Sequence, residues 1–219
     1  MSPAREVALD PIERPQGPDW AQAMALYREA FPAAEREPEA QLARRLEAGR
    51  YRLVLARPRG VARCDSAAGV GFTMLDRVPE HDYAVLTYLA VARAERGRGI
   101  GGALAGEVVE SFRRRRRESW LLVEAREPGL VELYRARGFT PLALDYRVPA
   151  FDGPGEHAMT LLLHGLTQAA EVSGEVLARI IRHMFVAGYG VRVRDPRLRA
   201  QLERLPAHCA MATATPLSC

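Results

Sequence analysis

Residues 83–102, YAVLTYLAVARAERGRGIGG, constrain this chain more than any other stretch. An apolar run from Tyr83 to Val91 reads as a strand and gives way to an arginine-flanked glycine cluster, Arg96-Gly97-Arg98-Gly99-Ile100-Gly101-Gly102. Beyond it, Ile100, Leu104, Val108 and Phe112 recur at the spacing of one helix face, and the helix runs to Arg115. Strand, glycine turn and helix start make an anion cradle. The glycines let backbone approach closely, the first-turn N–H groups lack helical partners, and the helix dipole favours negative charge. A phosphate-bearing ligand is therefore expected.

The flanking sequence supplies strands on both sides. Residues 5–9 predict a first strand ended by Pro11 and Pro15, and Asp19 reads as the N-cap of a helix from Trp20 to Phe31. A second helix is expected over about 38–48, and strands over 51–56 and 69–75. After the glycine cluster come a buried strand, Trp120–Glu124, and a helix from Leu130 to Arg137 closed by Gly138. Strands over 142–148 and 157–163 follow, then a helical segment over 170–187 and a short helix after Pro196. Residues 206–219 are weakly patterned and predict a loose tail. The order is α/β, with a mixed sheet because strands outnumber helices in the middle.

Composition excludes several classes of function. Hydrophobic content of 48% and charged content of 26% are those of a globular protein, and a net charge of +4 is too small to argue for nucleic acid. The basic residues are all arginine. The apolar stretches are strand-sized, which predicts no membrane span, and the N-terminus carries no apolar signal region. Cys64, Cys209 and Cys219 show no metal-like spacing and fit a reducing, cytoplasmic compartment. Nor do the five histidines show ligand spacing, so no metal is expected.

The glycine cluster admits two sharp readings. Gly97-x-Gly99-x-x-Gly102 satisfies a dinucleotide fingerprint, with Glu124 at the end of the next strand, about 20 residues on, where a ribose-binding acid would sit. Against it, Ala92–Arg96 separate strand from glycines, only one βαβ unit is visible, and several strands precede the motif.

The other reading rests on two motifs together. Arg96-Gly97-Arg98-Gly99-Ile100-Gly101 fits Gln/Arg-x-x-Gly-x-Gly/Ala, and Tyr134-Arg135-Ala136-Arg137-Gly138-Phe139 carries Tyr-x-x-x-Gly-Phe. In this order, with room for a helix, a strand and a helix start between them, they resemble the GNAT N-acetyltransferase superfamily over roughly residues 5–165. The resemblance implies a GNAT-like acyl-CoA N-acyltransferase fold, with acetyl-CoA as cosubstrate. It implies direct acetyl transfer to a primary amine of a small-molecule or peptide acceptor. Leu89, Ala90 and Val91 would pair with the pantetheine arm; Arg96, Gly97, Arg98, Gly99, Ile100, Gly101, Gly102 and Ala103 would hold the pyrophosphate. Tyr134 would assist the leaving thiolate.

For the base, Glu124 is the first candidate, with Tyr88 and Asp145 behind it; the fourth strand around Val85 offers no glutamate. The family often places an Asn before the tyrosine helix; this chain has none, and Glu127 stands near that position. No Cys lies near the motifs, so no covalent acyl-enzyme is expected. Arg113–Arg117 at a helix C-terminus read as a solvated face; His183 on the C-terminal helix could reach a substrate pocket, though a surface or packing role is the commoner one for such a residue. The expected domains are an acetyltransferase domain, 1–165, and a helical extension, 166–219, that covers the acceptor cleft or builds a homodimer contact. No nucleic-acid or membrane partner is expected. The alternatives are a non-catalytic CoA-binding sensor and, behind it, a dinucleotide binder.

Overall fold

A computed structural model describes residues 6–60, 69–151, 153–165 and 171–210. The chain divides into two compact units, one from the chain up to Val78 with Ala84–Arg115, the other from Pro79–Tyr83 with the chain from Arg116 onward.

In the first unit the elements are β1 (Val7–Ile12), α1 (Gly17–Ala30), α2 (Glu39–Glu47), β2 (Tyr51–Pro58), β3 (Gly71–Val78), β4 (Tyr83–Val91, all but its first residue) and α3 (Ile100–Arg115). Strands β1, β2, β3 and β4 are neighbours in that order, and the β1–β2 and β2–β3 ladders run antiparallel. Leu53, Val54, Leu55 and Ala56 of β2 are all buried, a run covered on both faces rather than an alternating one. Contrary to expectation β1 does not stop at Pro11, which pairs with Val54. An edge strand tolerates proline because its outer N–H faces no partner.

Asp19 does not cap α1. The helix starts at Gly17 after Gln16, with Pro18 in its first turn, and Asp19 and Asp10 instead hold Arg57, which is 1% exposed. A guanidinium so buried needs anionic partners, and that demand outweighs a local cap.

On α3 the predicted stripe of Ile100, Leu104, Val108 and Phe112 is buried. Leu89 and Val91 of β4 pack with Ile100 and Leu104, whereas Ala90 faces a second cluster with Tyr88, Tyr27 and Phe72. Strand alternation thus ties β4 to the start of α3 through two side chains.

The second unit holds β5 (Trp120–Ala125), α4 (Pro128–Arg135), β6 (Thr140–Pro141), β7 (Tyr146–Pro149) and β8 (Glu156–Gly165). They are followed by β9 (Glu171–Ser173), α5 (Gly174–His183), α6 (Pro196–Glu203) and β10 (His208–Ala210). Strand β8 pairs antiparallel with β5, β6 and β7. The ladders described are antiparallel, and the fold class is the expected mixed α/β with a mostly antiparallel sheet.

Three expectations here are corrected. Residues 142–148 are not one strand: a turn with Leu144 N–H bonded to Leu142 C=O at 2.9 Å separates β6 from β7. Residues 170–187 are not one helix either. Glu171–Ser173 pair with β10, and α5 starts at Gly174, where Ser173 Oγ accepts from Val176 N–H at 3.3 Å. Gly174 lies against the Pro206 carbonyl, where a Cβ would collide with backbone, so glycine is required. Residues 208–210, expected in a loose tail, are instead this ladder's second strand. The polar turn over 61–68, Cys64, Cys219 and the tail beyond 210 lie outside the described residues, while Cys209 is buried.

Candidate functional site

The glycine loop is built by its neighbours. After Val91 the chain makes a short 3-10 turn, Arg93–Glu95, which accounts for the spacer between strand and glycines. Gly97 and Gly99 then adopt φ of 76° and 80°, in the left-handed region where a side chain costs about 1–2 kcal/mol. A Cβ at Gly97 would meet nothing within 4 Å, so the loop surface is open there. The first helical hydrogen bond runs from Ala103 N–H to Gly99 C=O at 3.0 Å, which leaves the amides of Gly99, Ile100 and Gly101 ahead of it.

Two cations flank these amides. Arg96 is exposed and donates from Nε to Val91 C=O at 3.3 Å; Arg98 pairs with Glu95 at 3.2 Å. Gly71 on β3 approaches the Ala90 carbonyl so closely that a Cβ would sit 2.7 Å from it, which fixes the backbone of Leu89–Val91. All eleven residues expected to hold acetyl-CoA thus lie on one continuous strand–turn–helix segment of the first unit, Leu89–Ala103. The arrangement suits a bound pyrophosphate: open amides at a helix start, positive dipole and two guanidinium groups.

In the second unit, Glu124 sits partly buried on β5 and accepts two tyrosine hydroxyls, Tyr146 at 2.5 Å on Oε1 and Tyr189 at 2.6 Å on Oε2. Burial raises its pKa above the usual carboxylate value, against the lowering effect of the two hydroxyls. The two tyrosines belong to a chain of packed rings: Tyr189 stacks on Phe151 at 5.0 Å and lies 5.9 Å from Phe185, which in turn lies 6.5 Å from Tyr146. Tyr189 is placed by a π-helical turn over Met184–Gly188, closed by Tyr189 N–H to Met184 C=O at 3.0 Å. Such widened turns recur at functional sites.

Tyr134 lies on α4 and is 4% exposed, packed edge-on against Phe139 at 5.6 Å. Burial raises its phenol pKa, so the hydroxyl keeps its proton near neutral pH. Gly138 C=O accepts from His164 Nδ1–H at 2.8 Å, which anchors the segment after α4.

The other candidates have different surroundings. Tyr88 is buried in the first unit, where its hydroxyl accepts from Glu37 N–H at 3.1 Å. Asp145 is exposed and pairs with Arg147 at 3.3 Å. Glu127 precedes α4 as its N-cap residue without a side-chain cap bond. His183 shares a 2.6 Å hydrogen bond with Tyr83 and lies 4.3 Å from the His81 ring. Among the described residues no group of three or more His, Cys, Asp or Glu is placed to hold a metal, and no helix is long and apolar enough to cross a membrane.

Tyr146, Tyr189 and Phe151 belong to no sequence motif. Their tie to Glu124 spans 22 and 65 positions for the two tyrosines, and no local pattern announces it.

No curated protein sequence matches the chain. Among solved structures, an acetyltransferase assigned to the GNAT family from Bacteroides thetaiotaomicron superposes with a TM-score of 0.63 at 20% identity, over 84% of this chain and 99% of that one. The ribosomal-protein-S18-alanine N-acetyltransferase of Escherichia coli gives 0.54 at 20% identity, over 75% of this chain and 96% of the other. NAA60 of Arabidopsis thaliana, in complex with acetyl-CoA, gives 0.58 at 16% identity, over 74% and 99%. At these identities the likeness is one of fold. The model of the acetyltransferase (GNAT) family matches residues 20–139, more than half of the sequence, so this chain is a member of that family.

Proposed function

We propose that this protein transfers an acetyl group from acetyl-CoA directly to a primary amine. The observation that carries the reading is the loop after β4, where left-handed Gly97 and Gly99 lead into α3 and the surface at Gly97 is open, in a chain of the GNAT family. Arg96–Ala103 hold the pyrophosphate, and Leu89–Val91 present strand backbone to the pantetheine amides. Residues 1–165 form the acetyltransferase domain and 166–219 an extension on the acceptor side or at a homodimer contact.

Two side chains carry the proton traffic. Glu124, with its raised pKa, takes a proton from the protonated amine, and the freed nitrogen attacks the thioester carbonyl carbon. The C–S bond breaks as the tetrahedral intermediate collapses. Tyr134 donates its proton to the departing sulfur and is reprotonated by the second proton the nitrogen sheds. The products are an amide and free CoA thiol, with one proton released.

The test is thiol release from acetyl-CoA with a panel of small primary amines and peptides bearing free N-termini. Turnover with one of them is expected. CoA binding without thiol release for any acceptor would overturn catalysis in favour of a sensor. Thermal stabilisation by NAD and none by CoA would overturn CoA recognition itself.

A further inference from the structure

Three buried or half-buried carboxylates elsewhere, among the described residues, are paired with arginine. Glu37 meets Arg45 at 2.8 Å, Asp76 meets Arg50 at 2.6 Å, and Asp10 meets Arg57 at 2.8 Å. Glu124 departs from this. Its hydrogen bonds come from the hydroxyls of Tyr146 and Tyr189, and among the described residues no cationic side chain contacts it. A carboxylate removed from water without a counter-charge is costly, and in a chain with 31 basic residues the omission is specific.

The donor pattern says what is missing. Each carboxylate oxygen accepts two hydrogen bonds, and each here receives one neutral hydroxyl, so a lone pair on either oxygen remains for a charged donor. The adjoining rings are those of Tyr146 and Tyr189, whose hydroxyls bond the carboxylate, and of Phe151, which stacks on Tyr189. They suit hydrocarbon and the π-attraction of a cation, and they repel an anion from the carboxylate. We infer that Glu124, Tyr146, Tyr189 and Phe151 form a recognition site for the ammonium group of an acceptor carried on an aliphatic chain, with no acidic group beside the amine. The inference deepens the acetyl-transfer reading and rests on it for the fate of the bound amine. It also gives the C-terminal extension a part in the site, through Tyr189.

Ligand-observed NMR titration of the full chain with n-butylammonium, n-butanol and n-butyrate tests it. Butylammonium alone is expected to bind, and Glu124→Gln to weaken it by about tenfold or more, the equivalent of about 1.4 kcal/mol. Tyr189→Phe is expected to weaken it less, and unchanged CoA binding by both variants reports an intact fold. Equal binding of the three probes, or butylammonium affinity indifferent to Glu124→Gln, would overturn the site. Glu124-dependent ammonium binding without acetyl transfer would support the cation site and sink the transferase reading. Thiol release from amines with no dependence on Glu124 would do the reverse.

Discussion

The Tyr189 hydroxyl donates to Glu124 Oε2 at 2.6 Å, so a side chain from the C-terminal segment completes the shell of a carboxylate 65 positions earlier. The consequence is a pH dependence with a definite sign. Burial raises the Glu124 pKa and the tyrosine hydroxyls lower it. Tyr189→Phe removes one lowering contact. Since the base works when deprotonated, the ascending limb of kcat/KM against pH is expected to move to higher pH. Activity below the limb falls and recovers above it. A limb left in place would remove Tyr189 from the site.

What the sequence disclosed, and what it concealed, follows from separation along the chain. The stripe Ile100, Leu104, Val108 and Phe112 and the cluster Arg96–Gly101 are local patterns, and both are legible before any fold is known. Asp19 has the local pattern of a helix cap, but its partner, Arg57, lies 38 positions away on a strand whose burial only the tertiary fold creates. Tyr146 and Tyr189 belong to the same class of contact, and they are the residues that give Glu124 its environment. The break before Gly174 likewise comes from a distant contact, the pairing of Glu171–Ser173 with His208–Ala210.

Gly97 offers a test of the loop that leaves contacts aside. A methyl group there would touch nothing within 4 Å, so Gly97→Ala acts only through the φ of 76°. A left-handed alanine costs about 1–2 kcal/mol. Isothermal titration is expected to show CoA affinity lowered by about tenfold as the loop relaxes away from its anion-binding shape. Undiminished affinity would mean that the left-handed geometry plays no part in holding the ligand.

Tyr134 is expected to matter for rate and not for binding. The phenol is buried against Phe139 and holds its proton firmly, the state required to protonate a leaving thiolate. Tyr134→Phe keeps the ring and its packing while removing the proton. Turnover is expected to fall by about 10²–10⁴, the range for general acid assistance, with CoA affinity nearly unchanged. An unaltered kcat would leave Tyr134 as a packing residue only.

Glu37 predicts how the first unit responds to pH. It is 3% exposed, and burial raises its pKa to about 7 despite Arg45 at 2.8 Å and a hydroxyl bond from Tyr51 at 3.0 Å. Because the folded pKa lies above the ordinary carboxylate value of 4.5, the folded state holds this proton more tightly than the unfolded one does. The contribution to stability is therefore complete below about pH 4.5 and is lost as pH rises through about 7, a change on the order of 3 kcal/mol. Urea denaturation between pH 5 and 8 is expected to show this declining component in the wild type. Glu37→Gln, which mimics the protonated form and keeps an acceptor for Tyr51, is expected to flatten it, with the variant gaining on the wild type as pH rises. If the two stability curves ran parallel across that range, the raised pKa of Glu37 would be refuted.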